Sequence, residues 1–325
     1  MLIMRAPVRL PVWHAMLVAA MVAVVALVYA DPSAGRVLVV GPDEALKVPS
    51  EAAQIATTGD TVEIAAGEYS GDVAVWRQDR LTLRGVGGRA HLRAAGRAAE
   101  GKAIWVIKGD DVLVENIEMS GTRVPGFAGA GIRAEGGRLT LRNVHFHHNQ
   151  MGILTNHNPY GELRIVDSEF DHNIVDYERH GHLGHNIYVG GIAYFELRGS
   201  HVHDAVTGHQ VKTRARSSTI VGNRIVDGHG GSSYLIDVSE GGEATIRHNL
   251  LQQSERAPNR VAISFAPEAG DKSAPGMLFV AGNRFRSEGS PAVFVRNFSE
   301  TVEAVLSNNI LHGDVTPLQG LGRVR

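Results

Sequence analysis

Leu139-Thr-Leu-Arg-Asn143-Val-His-Phe-His-His-Asn149 returns as Leu163-Arg-Ile-Val-Asp167-Ser-Glu-Phe-Asp-His-Asn173 and again as Phe195-Glu-Leu-Arg-Gly199-Ser-His-Val-His-Asp204. Each copy reads as a short alternating strand, a corner residue that tolerates a left-handed backbone, and a second short strand. Extending the register in both directions gives nine copies, with corner residues Gly85, Asn116, Asn143, Asp167, Gly199, Gly222, His248, Gly282 and Asn308. Two residues before each corner stands an aliphatic side chain, from Leu83 to Leu306. Three residues after it stands an apolar one in every copy except the first, where Gly88 takes the place. Most corners are 23 to 27 residues apart, the longest gap being 34. A repeat of that length cannot bury its own apolar face and must stack on its neighbours.

Between corners a third strand is readable, with Ile132, Ile153, Ile187, Val211, Ile236, Ile263 and Val293 as its inward residues. The expected architecture is therefore an all-β solenoid, a parallel β-helix of about nine to ten coils with three short strands per coil. An amphipathic segment over residues 50–57 is placed to cap its N-terminal end against edge pairing. Blades of about 40 residues and Asn-Gly hairpins, which a β-propeller would need, are missing.

The composition agrees. The 325 residues are 43% hydrophobic and contain 38 glycines, with 32 basic and 34 acidic side chains and no cysteine. A net charge of -2 removes the electrostatic basis for coating a nucleic acid, and the absence of thiols removes disulfides and thiolate metal sites. Arg5 and Arg9 precede an uncharged, largely aliphatic run that ends in Val28-Tyr29-Ala30. Residues 1–30 are expected to be a signal peptide, or an uncleaved anchor and then the only membrane contact, with residues 31–325 forming one periplasmic or secreted domain.

The segment Ala52-Ala-Gln-Ile-Ala-Thr-Thr-Gly-Asp60-Thr-Val-Glu-Ile-Ala-Ala-Gly67-Glu-Tyr69, together with the asparagine-bearing corners, resembles the pectate-lyase-like right-handed parallel β-helix superfamily over roughly residues 37 to 315. The resemblance implies the handedness and an acidic polysaccharide or oligosaccharide as partner. Lyases, epimerases, hydrolases and non-catalytic proteins share this scaffold. The Gly228-His229-Gly230 element is similar to one in polygalacturonases, and Lys212-Thr-Arg214 is analogous to the lysine and arginine of some alginate-type lyases.

Stacking makes columns, and two sets of columns carry chemistry. Aligning Ile187, Val211 and Ile236 places Tyr188, Lys212 and Asp237 outward and side by side, with Arg214 two residues on and Asn186 and Gln210 just before. Arg133 falls on the same strand family two coils earlier. The 32-residue coil inserts the loop from Asp176 to His185, including His182, at the edge of this ridge. On a uronate polymer, elimination or C5 epimerisation needs a carboxylate neutraliser (Arg214 or His209), a base for the C5 proton (Lys212 or Tyr188) and, for elimination, an acid for the leaving oxygen (Tyr188, His185 or His209). Asp237 is expected to orient Lys212, bind substrate or hold a cation, with Ca²⁺ as the possible ion. A hydrolase using Asp237, Glu178 and Asp176 and a non-catalytic glycan binder are the competing expectations.

Eleven of the 16 histidines lie between His145 and His209. They form one column of His147, Asp171 and His203 and another of His145, Glu169 and His201. The expectation is hydrogen-bonded imidazoles and carboxylates, with His147, Asp171 and His203 as weak metal candidates, because a flat column does not readily converge on a tetrahedral ion.

Overall fold

A computed structural model describes residues 35–325; the expected signal peptide lies outside the described residues. The chain winds as a parallel β-helix whose strands lie on three faces, and every inter-coil pairing between named strands is parallel. Face one carries the strands before each corner, such as Arg138–Arg142 and Ser217–Val221, and face two those after it, such as His145–His147 and His201–His203. Face three is a sheet of ten strands that includes Ala130–Ala134, His185–Val189, Val211–Thr213 and Ile236–Val238.

Faces one and two belong to a single twenty-stranded sheet because the first coils turn the corner without a break. There the strands Thr61–Ser70 and Thr82–Arg93 run straight around it. Eight of the nine expected corner residues have positive φ, from Asn143 at 49° to Gly222 at 71°. Gly85 is the exception, and the bend has moved to Gly87 and Gly88, both at positive φ. That shift puts Leu92 opposite Met119 and explains why no apolar residue was found three positions after Gly85.

The aliphatic column from Leu83 through Leu141 and Ile220 to Leu306 is buried throughout. On face three Ile132, Ile153, Ile187, Val211, Ile236 and Ile263 line the core, but their next partner is Val295, not Val293. Val293 pairs with Val261, a slip of two residues that keeps the same side inward. The helix Pro49–Ile55 sits at the N-terminal end with Pro49 and Ala52 buried.

Amide ladders tie the coils together at the corners. Asn223, Asn249 and Asn283 each pass an Nδ2–H to the Oδ1 of the next amide, the last being Asn309, at 3.0, 2.9 and 3.0 Å. The same Nδ2 groups donate to carbonyls of the preceding coil, such as Ile220 and Ile246, at 2.9 Å. A second ladder runs from Asn149 through Asn173, Asn186 and Gln210 to Asp227. These buried amides stay affordable because each polar atom finds a partner in the next coil.

Candidate functional site

The outer column of face three reads Arg133, Leu154, Tyr188, Lys212, Asp237, Ser264 and Arg296 in register. Successive members are separated by about one interstrand spacing, ~4.8 Å. The ridge expected from the sequence is therefore present, with Arg133, Tyr188, Lys212 and Asp237 in one line. Arg214, two residues after Lys212, places its guanidinium carbon 5.8 Å from the centre of the Tyr188 ring, and the Lys212 Nζ lies at the same distance.

Asn186 and Gln210 are not on the ridge. Both are fully buried members of the second ladder, Asn186 donating to Gln210 Oε1 (2.6 Å) and to the His203 carbonyl (2.7 Å). Period-2 alternation predicts them outward, but the chain turns a corner here, so residues 186 and 187 both point inward and the residue before them swings out. The corner thus puts His185, His209 and Tyr234 in a second outer row whose rings stack at 5.0 and 5.2 Å, with His185 edge-on to Tyr188.

Both histidines are neutral. Burial, followed by the charges of Lys212 and Arg214, pushes the His185 imidazole down to about 3. Burial, His185 and Lys212 hold His209 well below the ordinary histidine range. His185 Nδ1 accepts the His209 N–H (2.9 Å) and His209 Nδ1 accepts the Tyr234 N–H (3.2 Å), so each ring carries its proton on Nε2. The His209 Nε2 is 3.6 Å from Asp237 Oδ2. A neutral His209 carries no charge to set against a carboxylate, and both rings offer hydrogen bonds instead.

Lys212 is nearly enclosed, its side chain 7% exposed, and it joins two carboxylates: Asp237 at 3.3 Å and Glu268 at 2.5 Å. Arg214 binds the other oxygen of Glu268 and also Glu240 (3.1 Å). One carboxylate is thus clamped between an ammonium and a guanidinium, one oxygen to each, beside the Tyr188 ring. Burial would raise the Glu268 carboxyl, but Lys212 and Arg214 overcome it and hold the group below its usual range.

Asp237 is 1% exposed, and burial raises its carboxyl despite Lys212. Its Oδ2 accepts from Ser239 (2.6 Å) and Lys212, while Oδ1 is buried without a partner. A Ca²⁺ ion needs six to eight oxygens. Around Asp237 stand a lysine, a histidine and one hydroxyl, and this set does not fit that ion.

Two insertions flank the ridge. The segment before His185 forms a short helix, Tyr177–His180, capped by Asp176, and its His180 and His182 rings stack on Phe127 at 4.4 and 5.0 Å. His182 therefore contributes to the entry wall through Phe127. The opposite wall is the segment after Val261–Phe265, which delivers Glu268 and is pinned by the Glu268 N–H to the Ser239 carbonyl (2.8 Å). Beside Arg214 and Glu240 an open depression of about 290 Å³ continues past His157 and Pro159. Glu268, Glu240 and Tyr234 were missed in the sequence. The first lies in the longest gap between corners, 34 residues, which carried the same signal as the 32-residue coil.

Face two holds the histidine columns in the expected register: His145, Glu169 and His201 in one, and His147, Asp171 and His203 in the other. His145 Nε2 meets Asp171 Oδ2 at 2.7 Å, His203 Nε2 meets Glu169 Oε1 at 3.2 Å, and His147 Nε2 meets Glu118 Oε1 at 3.1 Å.

A solenoid of parallel strands whose corners are stitched by amide ladders, with a polar ridge along one face, defines a class of protein. The chain belongs to the right-handed β-helix region family, which matches residues 97–264. Among solved structures it is similar to an alginate lyase from Paenibacillus sp. str. FPU-7, with 15% identity, 84% of this chain and 95% of that chain covered, and a TM-score of 0.63. It is also similar to pectate lyase Pel9A, with 14% identity, coverage of 89% and 79%, and a TM-score of 0.65. At such identities the likeness is one of fold, and it fixes the coil as right-handed. No curated protein sequence matches.

Proposed function

We propose that the chain is an exported carbohydrate-active enzyme that acts on a uronate-containing polysaccharide by removing the C5 proton, as a lyase or C5-epimerase. The observation that carries this reading is the carboxylate clamp. Lys212 and Arg214 hold the two oxygens of Glu268 next to Tyr188, and the Glu268 side chain is the exposed partner of that set. A uronate carboxylate that displaces Glu268 meets the same two cations, which then stabilise the charge that develops when C5 loses its proton.

Tyr188 is the group standing beside that position, and, reacting as the phenolate next to the Lys212 and Arg214 cations, it takes the proton and becomes the neutral phenol. In elimination the electron pair moves to form the C4–C5 double bond, the C4–oxygen bond breaks, and the departing oxygen takes a proton back from Tyr188. The neutral His185 and His209 rings shape the wall behind it. Arg133, whose Nε is fixed by Asn156 Oδ1 (2.7 Å), lies two coils along the same column and meets a neighbouring sugar. The hydrolase reading is less well supported, because Asp176 is spent capping its helix and Asp237 is enclosed by Lys212 and Ser239.

The test is turnover of alginate and polygalacturonate, followed by the ultraviolet absorbance of the unsaturated product and, for epimerisation, by exchange of the C5 proton with solvent deuterium. Activity that disappears in Tyr188→Phe supports the assignment. New reducing ends without unsaturation would replace it with hydrolysis, and saturable binding without either reaction would replace it with a glycan-binding role.

A further inference from the structure

The histidine patch on face two is outside the ridge and unused by the reaction proposed above. Four of its ligand atoms come from three successive coils along a diagonal: His145 Nε2 from the first, Glu169 and Asp171 carboxylate oxygens from the second, and His203 Nε2 from the third. Their recorded separations are 2.7 Å for His145 to Asp171, 3.2 Å for His203 to Glu169, 3.8 Å for His203 to Asp171 and 4.0 Å for His145 to Glu169. With metal–ligand bonds of about 2.0–2.2 Å, the ligands of a tetrahedral ion stand about 3.4 Å apart; Asp171 Oδ2 faces both imidazoles on either side of that length, while Glu169 offers Oε2 to His145 and Oε1 to His203. A single column is flat, as the sequence reading held, but two adjacent columns crossed diagonally are not.

The surrounding hydrogen bonds have the pattern of a metal site's outer shell. His203 Nδ1 is bonded to Asp204 Oδ2 at 2.5 Å, and Asp204 Oδ1 accepts the His229 N–H at 2.7 Å. Asp204 occupies the Nδ1 side of His203 and so aims its Nε2 at Glu169 and Asp171. Asp171, more than nine-tenths buried, has its second oxygen held by His172 Nδ1 at 2.7 Å. Imidazole nitrogens and two carboxylates thus face one another, a donor set that a divalent cation can join.

We infer that His145, Glu169, Asp171 and His203 form a binding site for a divalent ion of the zinc type, with Asp204 and His172 as positioning residues. Two imidazoles and two carboxylates suit Zn²⁺ and Co²⁺ better than a hard ion such as Ca²⁺. The site lies on a different face from the ridge, so it stands independently of the proposed reaction. The neighbouring set of His91, Glu118 and His147 offers three ligand atoms, as do His145, Glu169 and Asp171 taken alone, and His203 is the fourth residue that the proposed site adds.

The test uses the full chain without a histidine tag, stripped with a chelator and titrated with Zn²⁺ by calorimetry and with Co²⁺ by visible absorption. One equivalent and a tetrahedral Co²⁺ spectrum are expected. His145→Ala, Asp171→Asn and His203→Ala should each remove the high-affinity equivalent, and Asp204→Asn should weaken it about 10- to 100-fold. His248→Ala, on a distant coil, should leave it intact. Asp204→Asn and a milder His203→Gln, checked by circular dichroism, keep the test decisive should a first-line variant fail to fold. Absence of a stoichiometric equivalent, or binding that survives these substitutions and instead follows His91→Ala, would overturn the assignment.

Discussion

The ridge on face three and the histidine patch on face two are built by the same register, yet burial gives them opposite electrostatics. On the ridge Lys212, Asp237, His185 and His209 are all less than a tenth exposed. There, histidines are forced neutral and the charges close on one another through Lys212. On the patch burial lowers His147, His148 and His201 too, but the rings are partly wet and a buried carboxylate beside them stays ionised. Burial would raise the Asp171 carboxyl, but hydrogen bonds from His145 and His172 hold it well below the usual range. A column of polar residues in a β-helix is therefore only a potential site, and the loops beside it decide which chemistry it supports. The ridge has two such loops.

The largest expected effect is on the rate. Tyr188→Phe should lower kcat by about 10²- to 10⁴-fold on whichever uronate polymer is turned over. It should hardly move the melting temperature, because Tyr188 lies on the partly exposed outer side. A variant that keeps its rate would reduce the ridge to a structural feature, like the ladders.

Next comes Lys212→Met. It leaves Asp237 buried without its cation, and breaking such a pair costs about 3–5 kcal/mol. Denaturant unfolding should show that loss alongside lost turnover, whereas unchanged stability would mean that Asp237 is neutral in the fold.

The third prediction separates the faces by pH. His185 and His209 have folded values below the unfolded one, so below about 6.5, and for His185 down to about 3, the unfolded chain binds more protons and stability falls as pH falls. Each contributes up to about 1.4 kcal/mol per pH unit. Asp171 has a depressed folded value too, so its contribution is complete above about pH 3.9 and is lost only at lower pH. Unfolding midpoints measured from pH 7 to 4 should therefore decline, and His209→Gln should flatten the decline while Asp171→Asn should not. The reverse pattern would contradict the assignment of neutral histidines to the ridge.

The smallest effect belongs to Glu268→Gln. Lys212 keeps Asp237 when this half-exposed carboxylate is neutralised, so the cost in stability should be about 1 kcal/mol or less. Relief of competition for the clamp should lower KM by a few fold with kcat nearly unchanged, and a raised KM would mean that Glu268 binds substrate rather than stands in its place.

Much of this was legible because a parallel solenoid converts sequence spacing into spatial neighbourhood. The corners from Asn116 to Asn308 and the alignments of Tyr188 with Lys212 and of His147 with Asp171 follow from counting alone. Alternation failed where the backbone bends, which is why Asn186 and Gln210 were expected in solvent and are found inside. The Val293 to Val295 slip escaped notice because a two-residue shift leaves every side chain on its own side. Glu268 was not legible from strand patterns at all, since it is delivered by a loop, and only the length of its coil hinted at it.

The amide-to-amide links from Asn223 to Asn309 have a polarity: each runs from an Nδ2–H to the Oδ1 of the following coil. Each rung therefore presents the same two connectors, and a whole turn added or lost by gene rearrangement can be rejoined amide to amide. The length of face three and the polar ridge at its middle are thereby free to evolve separately.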